Sequence, residues 1–159
     1  MLSDNQEVRA ANSSELDQVY MLAYKTWGDG KSIEEYLSAC RNSKKYSEGQ
    51  WVVLLDEDVI CSAAIIYEAQ FGLDQGYLGL GSVATRPSSR NKGYASNLLK
   101  ILCEKLKNSG AKGIYLHADI GHEFYEKLGF ELVQKQGSIC MLKKLAEDLE
   151  DPINIPSYF

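Results

Sequence analysis

The chain has 159 residues, 45% apolar and 25% charged, with a net charge of −5. That length supports one domain with a core of its own, and the acidic balance excludes a nucleic-acid backbone as partner, which would need a basic face. No apolar run approaches the roughly 20 residues of a membrane span, and the first residues lack a secretion signal's basic start and apolar stretch, so the chain reads as cytoplasmic, away from membranes.

Taken in order, residues 7–10 form a short first strand. Asn12-Ser13-Ser14 offers N-caps for a helix over 15–27, where Leu16, Val19, Tyr20, Leu22 and Ala23 make an apolar stripe. Ser32-Ile33-Glu34-Glu35 is a capping box opening a second helix that carries Tyr36, Leu37 and Cys40. A polar stretch closed by Gly49 precedes two β-branched runs, 51–55 and 59–67, joined by Asp56-Glu57-Asp58 as a hairpin. Residues 77–85 form the next strand. Leu98, Leu99, Leu102 and Leu106 give the following helix one apolar face, and Gly110 stops it. A strand over 113–117, a short helix over 122–128 and a hairpin of 130–133 with 139–142 around Gly137 complete the order β-α-α-β-β-β-α-β-α-β-β. This order predicts a mixed sheet with helices on its faces. Residues 1–145 read as one domain, and 146–159 as an extension packing on it, with a dimer contact or a cover for a substrate mouth as alternatives.

Cys40, Cys61, Cys103 and Cys140 are widely spaced without a C-x-x-C pair. They read as reduced core thiols, not a disulfide framework or zinc site, and no metal is expected.

The chemistry concentrates where an apolar strand runs into Arg90-Asn91-Lys92-Gly93-Tyr94-Ala95 and then into a helix. A helix N-terminus offers unpaired N–H groups and the positive end of the macrodipole, and Arg90 and Lys92 add charge. Gly93 lets a ligand approach the backbone. Such a loop suits pyrophosphate, although it is neither a Walker A loop nor a G-x-G-x-x-G fingerprint.

Val83-Ala84-Thr85-Arg86-Pro87 followed by Arg90-x-x-Gly93-x-Ala95 resembles the acetyl-CoA-binding motif of the GNAT superfamily of N-acetyltransferases. About thirty residues on, Phe124-Tyr125-Glu126-Lys127-Leu128-Gly129-Phe130 resembles that family's F-Y-x-x-x-G-F signature. The resemblance covers nearly the whole chain, although residues 11–70 match in architecture alone. It implies an α/β (mixed α+β) fold: a mostly antiparallel mixed sheet of about seven strands, helices on both faces, splayed between the fourth and fifth strands.

The resemblance further implies acetyl-CoA as cosubstrate. Backbone groups of Val83, Ala84 and Thr85 would pair with the pantetheine arm. Arg90, Asn91, Lys92, Gly93, Tyr94, Ala95 and Ser96 would cradle the pyrophosphate, with Asn97 in reach. Tyr125 would protonate the departing thiolate, and the two unperturbed pKa values lie within about two units of each other. Tyr125 also suits plain packing beside Phe124 and Leu128. Many members carry a glutamate base two residues ahead of the position of Val83, and here that position is Gly81. His117 is the leading substitute, at a strand end where the central strands would part; Asp119, Glu68, Asp74 and bulk water are the others. His122 reads as an exposed helix start.

The expected function is therefore transfer of an acetyl group from acetyl-CoA to a primary amine of a small molecule or peptide, by a monomer or homodimer. The alternative is a catalytically weak CoA-binding sensor or interaction module of the same fold, and the missing glutamate points that way. Tyr20, Tyr24, Trp27, Tyr36, Tyr67 and Phe71 suit a core as well as a substrate cage. Gly79 and Gly81, at period two, leave one strand face bare.

Overall fold

The computed structural model describes residues 4–118, 121–134, 137–147, 149 and 154–159. Asp119, singled out above, lies outside the described set, as do residues 148 and 150–153 of the extension. The elements in chain order are β1 (Gln6–Ala10), a 3-10 turn (Ser13–Glu15), α1 (Leu16–Met21), α2 (Tyr24–Trp27), α3 (Ile33–Arg41), α4 (Lys44–Ser47), β2 (Gln50–Asp56) and β3 (Val59–Glu68). There follow β4 (Tyr77–Thr85), a second 3-10 turn (Pro87–Ser89), α5 (Tyr94–Asn108), β5 (Gly113–His117), α6 (His122–Lys127), β6 (Glu131–Gln134) and β7 (Cys140–Lys144).

The seven strands form one mixed sheet in the order β1-β2-β3-β4-β5-β7-β6. β1 and β2 pair antiparallel, as do β5 with β7 and β6 with β7. β4 and β5 pair parallel from Tyr77↔Gly113 to Leu80↔Leu116, and β4 continues to Thr85 beyond that register. This is the expected mixed α/β fold.

Contacts divide the chain into two compact units, Met1–Ile65 with Ser82–Leu98, and Ile66–Gly81 with Leu99–Phe159. In the first, Glu57 and Asp58 both adopt positive φ (50° and 66°), the signature of a type I′ turn that matches strand twist and closes the β2–β3 hairpin. Arg9 grips Glu15 at 2.8 and 2.9 Å, and the Asn12 N–H donates to the same carboxylate at 2.8 Å. Ser32 Oγ accepts from the Glu35 N–H at 3.2 Å and so caps α3. Val53, Leu54, Ala63, Ala64 and Ile65 are fully buried core. In the second unit Tyr67, Ile114, Phe130, Met141 and Leu142 take that part.

The helix expected over 15–27 is broken. Leu22 N–H bonds Val19 O and Ala23 N–H bonds Tyr20 O, tight i→i+3 contacts that end α1 before α2 starts at Tyr24. Val19, Tyr20, Leu22 and Ala23 are all buried, so the apolar stripe runs straight through the break and hides it from the sequence. The polar stretch before Gly49 contains α4, capped by Ser43 Oγ accepting from the Tyr46 N–H.

Candidate active site

The strand–loop–helix lies in the first unit. Ser62, fully buried on β3, donates to Ala84 O at 2.8 Å and stands 3.3 Å from Thr85 Oγ1. Arg86 donates through its N–H to Cys61 O and through Nε to Ile60 O, which fixes the exit from β4. Beyond the 3-10 turn the backbone takes positive φ at Asn91 (64°) and Gly93 (79°). A Cβ at Gly93 would meet nothing within 4 Å, so the left-handed backbone selects glycine and the space beside it is open.

The first intrahelical bond of α5 runs from Asn97 N–H to Gly93 O at 2.9 Å. The amides of Tyr94, Ala95 and Ser96 therefore stand ahead of the ladder, at the positive end of a fifteen-residue helix. Arg90 and Lys92 are exposed beside them, with Arg90 Nη2 resting 3.4 Å from Thr26 Oγ1. The phenol of Tyr94 bonds Asp56, which pushes it up to about 12 and makes this side chain a pin for the helix start. Open amides, two exposed cations and a glycine approach together suit a phosphate-bearing ligand.

One strand residue departs from ordinary geometry. Ser82 has φ 47°, a left-handed backbone that non-glycine residues rarely hold inside a strand and that concentrates at functional sites. Ser82 and Ala84 line a recess together with Tyr20, Trp27, Tyr36, Tyr46 and Trp51. Tyr20 stacks on Tyr46 at 5.8 Å, and Trp51 sets its edge to both at 6.0 and 5.2 Å. Burial pushes the phenols of Tyr20, Tyr36 and Tyr46 up, so they stay neutral, and Ser82 hydrogen-bonds Tyr46. The Trp51 Nε1–H is buried without a hydrogen-bond partner among the described residues.

The second unit holds Tyr125 and His117. Tyr125 lies half-buried on α6 between Phe124 (5.2 Å) and Phe130 (6.0 Å), both edge-on, and its carbonyl accepts from Leu128 and Phe130 N–H at the helix end. His117 closes β5 opposite Cys140. Its Nε2 lies 3.1 Å from Ser157 O and its Nδ1 2.9 Å from Ser138 Oγ. A carbonyl only accepts, so Nε2 carries the proton and, in the neutral ring, Nδ1 accepts from the Ser138 hydroxyl. The rings of Tyr158 and Phe159 lie 5.3 and 4.8 Å from the imidazole, and Phe159 also packs on Tyr67 and Phe71. Ser157 donates to Phe71 O through both N–H and Oγ, at 2.7 and 3.1 Å. Glu68 and Asp74 are exposed.

The structure thus groups Val83, Ala84, Thr85 and residues 90–97 in one unit, and Tyr125 with His117 in the other. The aromatic set read from the sequence divides: Tyr20, Trp27 and Tyr36 line the recess, whereas Tyr67 and Phe71 pack with Phe159. Tyr46, Trp51 and Ser82 went unmarked in the sequence. Tyr46 sat in a polar stretch, Trp51 read as ordinary strand, and the backbone of Ser82 left no trace in residue type. The four cysteines are free and buried, and burial raises the thiol of Cys140 to about 11.

Comparison with known proteins bears on the whole arrangement. The family model described as Acetyltransferase (GNAT) family matches residues 15–130, well over half the chain. No curated protein matches in sequence. Among solved structures, the PaiA N-acetyltransferase of Thermoplasma acidophilum in complex with coenzyme A superposes with TM-score 0.68 at 18% identity, covering 87% of this chain and 98% of that one. The ribosomal-protein-S18-alanine N-acetyltransferase of Escherichia coli gives 0.66 at 16%, covering 92% and 99%. A GNAT family acetyltransferase of Brucella melitensis in complex with acetyl-CoA gives 0.66 at 19%, covering 97% and 96%. These likenesses establish the fold, and the family match establishes kinship: the chain belongs to the GNAT acetyltransferase family.

Proposed function

We propose that this chain transfers the acetyl group of acetyl-CoA to a primary amine by direct attack, in the cytoplasm. The observation that carries this reading is the open N-terminus of α5, with the amides of Tyr94, Ala95 and Ser96 ahead of the ladder and Arg90 and Lys92 beside them. Pyrophosphate oxygens take those donors, and the backbone of Val83, Ala84 and Thr85 pairs with the amide-bearing arm of the cofactor. The coenzyme A and acetyl-CoA complexes of the Thermoplasma and Brucella structures support the choice of ligand.

In the reaction the amine nitrogen attacks the thioester carbon, the carbon–sulfur bond breaks, and the amine sheds one proton while the thiolate gains one. Tyr125 is the proposed acid for the sulfur. His117 is the proposed acceptor of the amine proton, through Nδ1. The Ser138 hydroxyl that now donates to Nδ1 can turn and accept instead, so the ring gains a proton without losing either partner.

A second reading, a CoA-binding module with little turnover, draws on Gly81 standing where a carboxylate base is expected. One assay separates the two: release of CoA thiol from acetyl-CoA across a panel of primary amines, alongside the melting temperature with and without acetyl-CoA. Transfer predicts both thiol release and a raised melting temperature. A raised melting temperature with no release on any amine establishes the module, and an unmoved melting temperature at saturating acetyl-CoA overturns both.

A further inference from the structure

We propose that Asp56 is a positioning residue for the cofactor: through the phenol of Tyr94 it holds the start of α5 where the open amides meet the pyrophosphate. This rests on the acetyl-transfer reading above, and within it on the phosphate loop alone.

The segment that presents Arg90, Asn91, Lys92 and Gly93 runs from residue 87 to residue 93, and both its ends are tied to one hairpin tip. At the entry, Arg86 donates through its N–H to Cys61 O at 2.8 Å and through Nε to Ile60 O at 3.0 Å, both near the start of β3. At the exit, Tyr94, the first residue of α5, donates its hydroxyl to Oδ2 of Asp56, the last residue of β2. Residues 56–61 thus clamp positions 86 and 94. The tip between the two anchors is itself fixed: Glu57 and Asp58 hold positive φ, and the Glu57 N–H donates to Asn5 O at 3.0 Å.

The half-buried Asp56 carboxylate has no lysine or arginine paired with it among the described residues. Its other donor is Gln6 Nε2, 3.4 Å from the same oxygen and so the weaker of the two. A phenol donating to a carboxylate makes a charge-assisted bond, the stronger kind. The Tyr94 contact is therefore the principal bond of this side chain.

Backbone amides hold a phosphate only when they converge on it, and a loop that must be ordered by its ligand gives up affinity. The entry half of this loop is held from within, since the Ser89 N–H donates to Arg86 O at 2.8 Å. The exit half is not. The N–H groups of Asn91, Lys92 and Gly93 make no backbone hydrogen bond among the described residues, and all three residues are exposed. The tie from Tyr94 to Asp56 is what fixes that half and the first turn of α5 with it.

Calorimetry of CoA binding tests this on wild type, Tyr94→Phe, Asp56→Ala, Asp56→Asn and the Tyr94→Phe/Asp56→Ala double variant, with melting temperatures taken without CoA. Tyr94→Phe and Asp56→Ala should each weaken binding roughly tenfold, and the double variant no further than either alone, because all three lack the same bond. Asp56→Asn, whose amide oxygen still accepts from the phenol, should keep the wild-type Kd within about threefold. KM for acetyl-CoA should follow the same order. A wild-type Kd in Tyr94→Phe and Asp56→Ala overturns the proposal even where their melting temperatures fall, since the bond then serves the fold alone. So does an Asn variant as weak as the Ala variant. Should Asp56→Ala fail to fold, Tyr94→Phe set against Asp56→Asn decides in the same way. Wild-type protein that does not bind CoA overturns the acetyl-transfer reading, and the proposal with it.

Discussion

The ring of Phe159 fills the space that Gly79 leaves on β4. A Cβ at position 79 would stand 2.8 Å from Phe159 Cζ, closer than carbon atoms sit in folded proteins. The bare strand face read from Gly79 in the sequence is therefore a seat for this ring. Gly79→Ala should destabilise the fold by roughly 1–3 kcal/mol through overpacking. Phe159→Ala carries its own cost, and the double variant should lose less than the sum of the two, because the clash goes with the ring. Urea unfolding of the four proteins measures this coupling, and simple additivity would show that the two positions do not meet.

Glu15 ties β1 to the turn that precedes α1. The Arg9 guanidinium, and after it the Asn12 N–H, hold its carboxyl down at about 2, well below its ordinary 4.5. A carboxyl depressed in the folded state stabilises the protein above its unfolded value and loses that contribution as pH falls from about 4.5 through about 2. Wild type should therefore melt above Glu15→Gln at neutral pH, with the gap closing across that window. Thermal melts at stepped pH provide the check, and a gap that stays constant into the acid range contradicts the assignment.

Arg90 and Lys92 flank the open amides of α5 without an ion pair of their own among the described residues. Replacing either by alanine should weaken CoA binding by roughly tenfold, the scale of one charge-assisted hydrogen bond. Calorimetry at low and high salt should show the loss shrinking as salt screens the exposed charges. An unchanged Kd in both variants would place the phosphates elsewhere.

Tyr125→Phe removes only the hydroxyl and leaves the edge-on contacts with Phe124 and Phe130. As the acid for the departing sulfur, Tyr125 should contribute roughly a hundredfold or more to kcat. The variant should then fall in kcat while acetyl-CoA still raises its melting temperature as in wild type. Equal kcat in both proteins would assign Tyr125 to packing alone.

The parts legible in the sequence are those whose cause is local. Asp56-Glu57-Asp58 reads as a turn because Asp and its neighbour must take positive φ there, and both Glu57 and Asp58 do. Ser32 and Glu35 form their cap within one turn of helix. Gly93 marks a left-handed residue at the start of α5. The recess has no such signature. Its walls come from α1, α2, α3, α4, β2 and β4, each contributing one or two residues that locally suit any core. The break between α1 and α2 is hidden for the same reason, since packing sets it and the buried stripe from Val19 to Ala23 never changes. His117 was visible as a strand end, but Ser138 and Ser157, which hydrogen-bond its ring, lie 21 and 40 residues away.

The most direct measurement is to follow the acetyl group itself. Protein incubated with carbon-labelled acetyl-CoA and a panel of primary amines should yield a labelled N-substituted acetamide by mass spectrometry, in step with free CoA thiol and dependent on Tyr125. Label that stays in acetyl-CoA, or leaves only as free acetate, contradicts acetyl transfer to an amine by this chain.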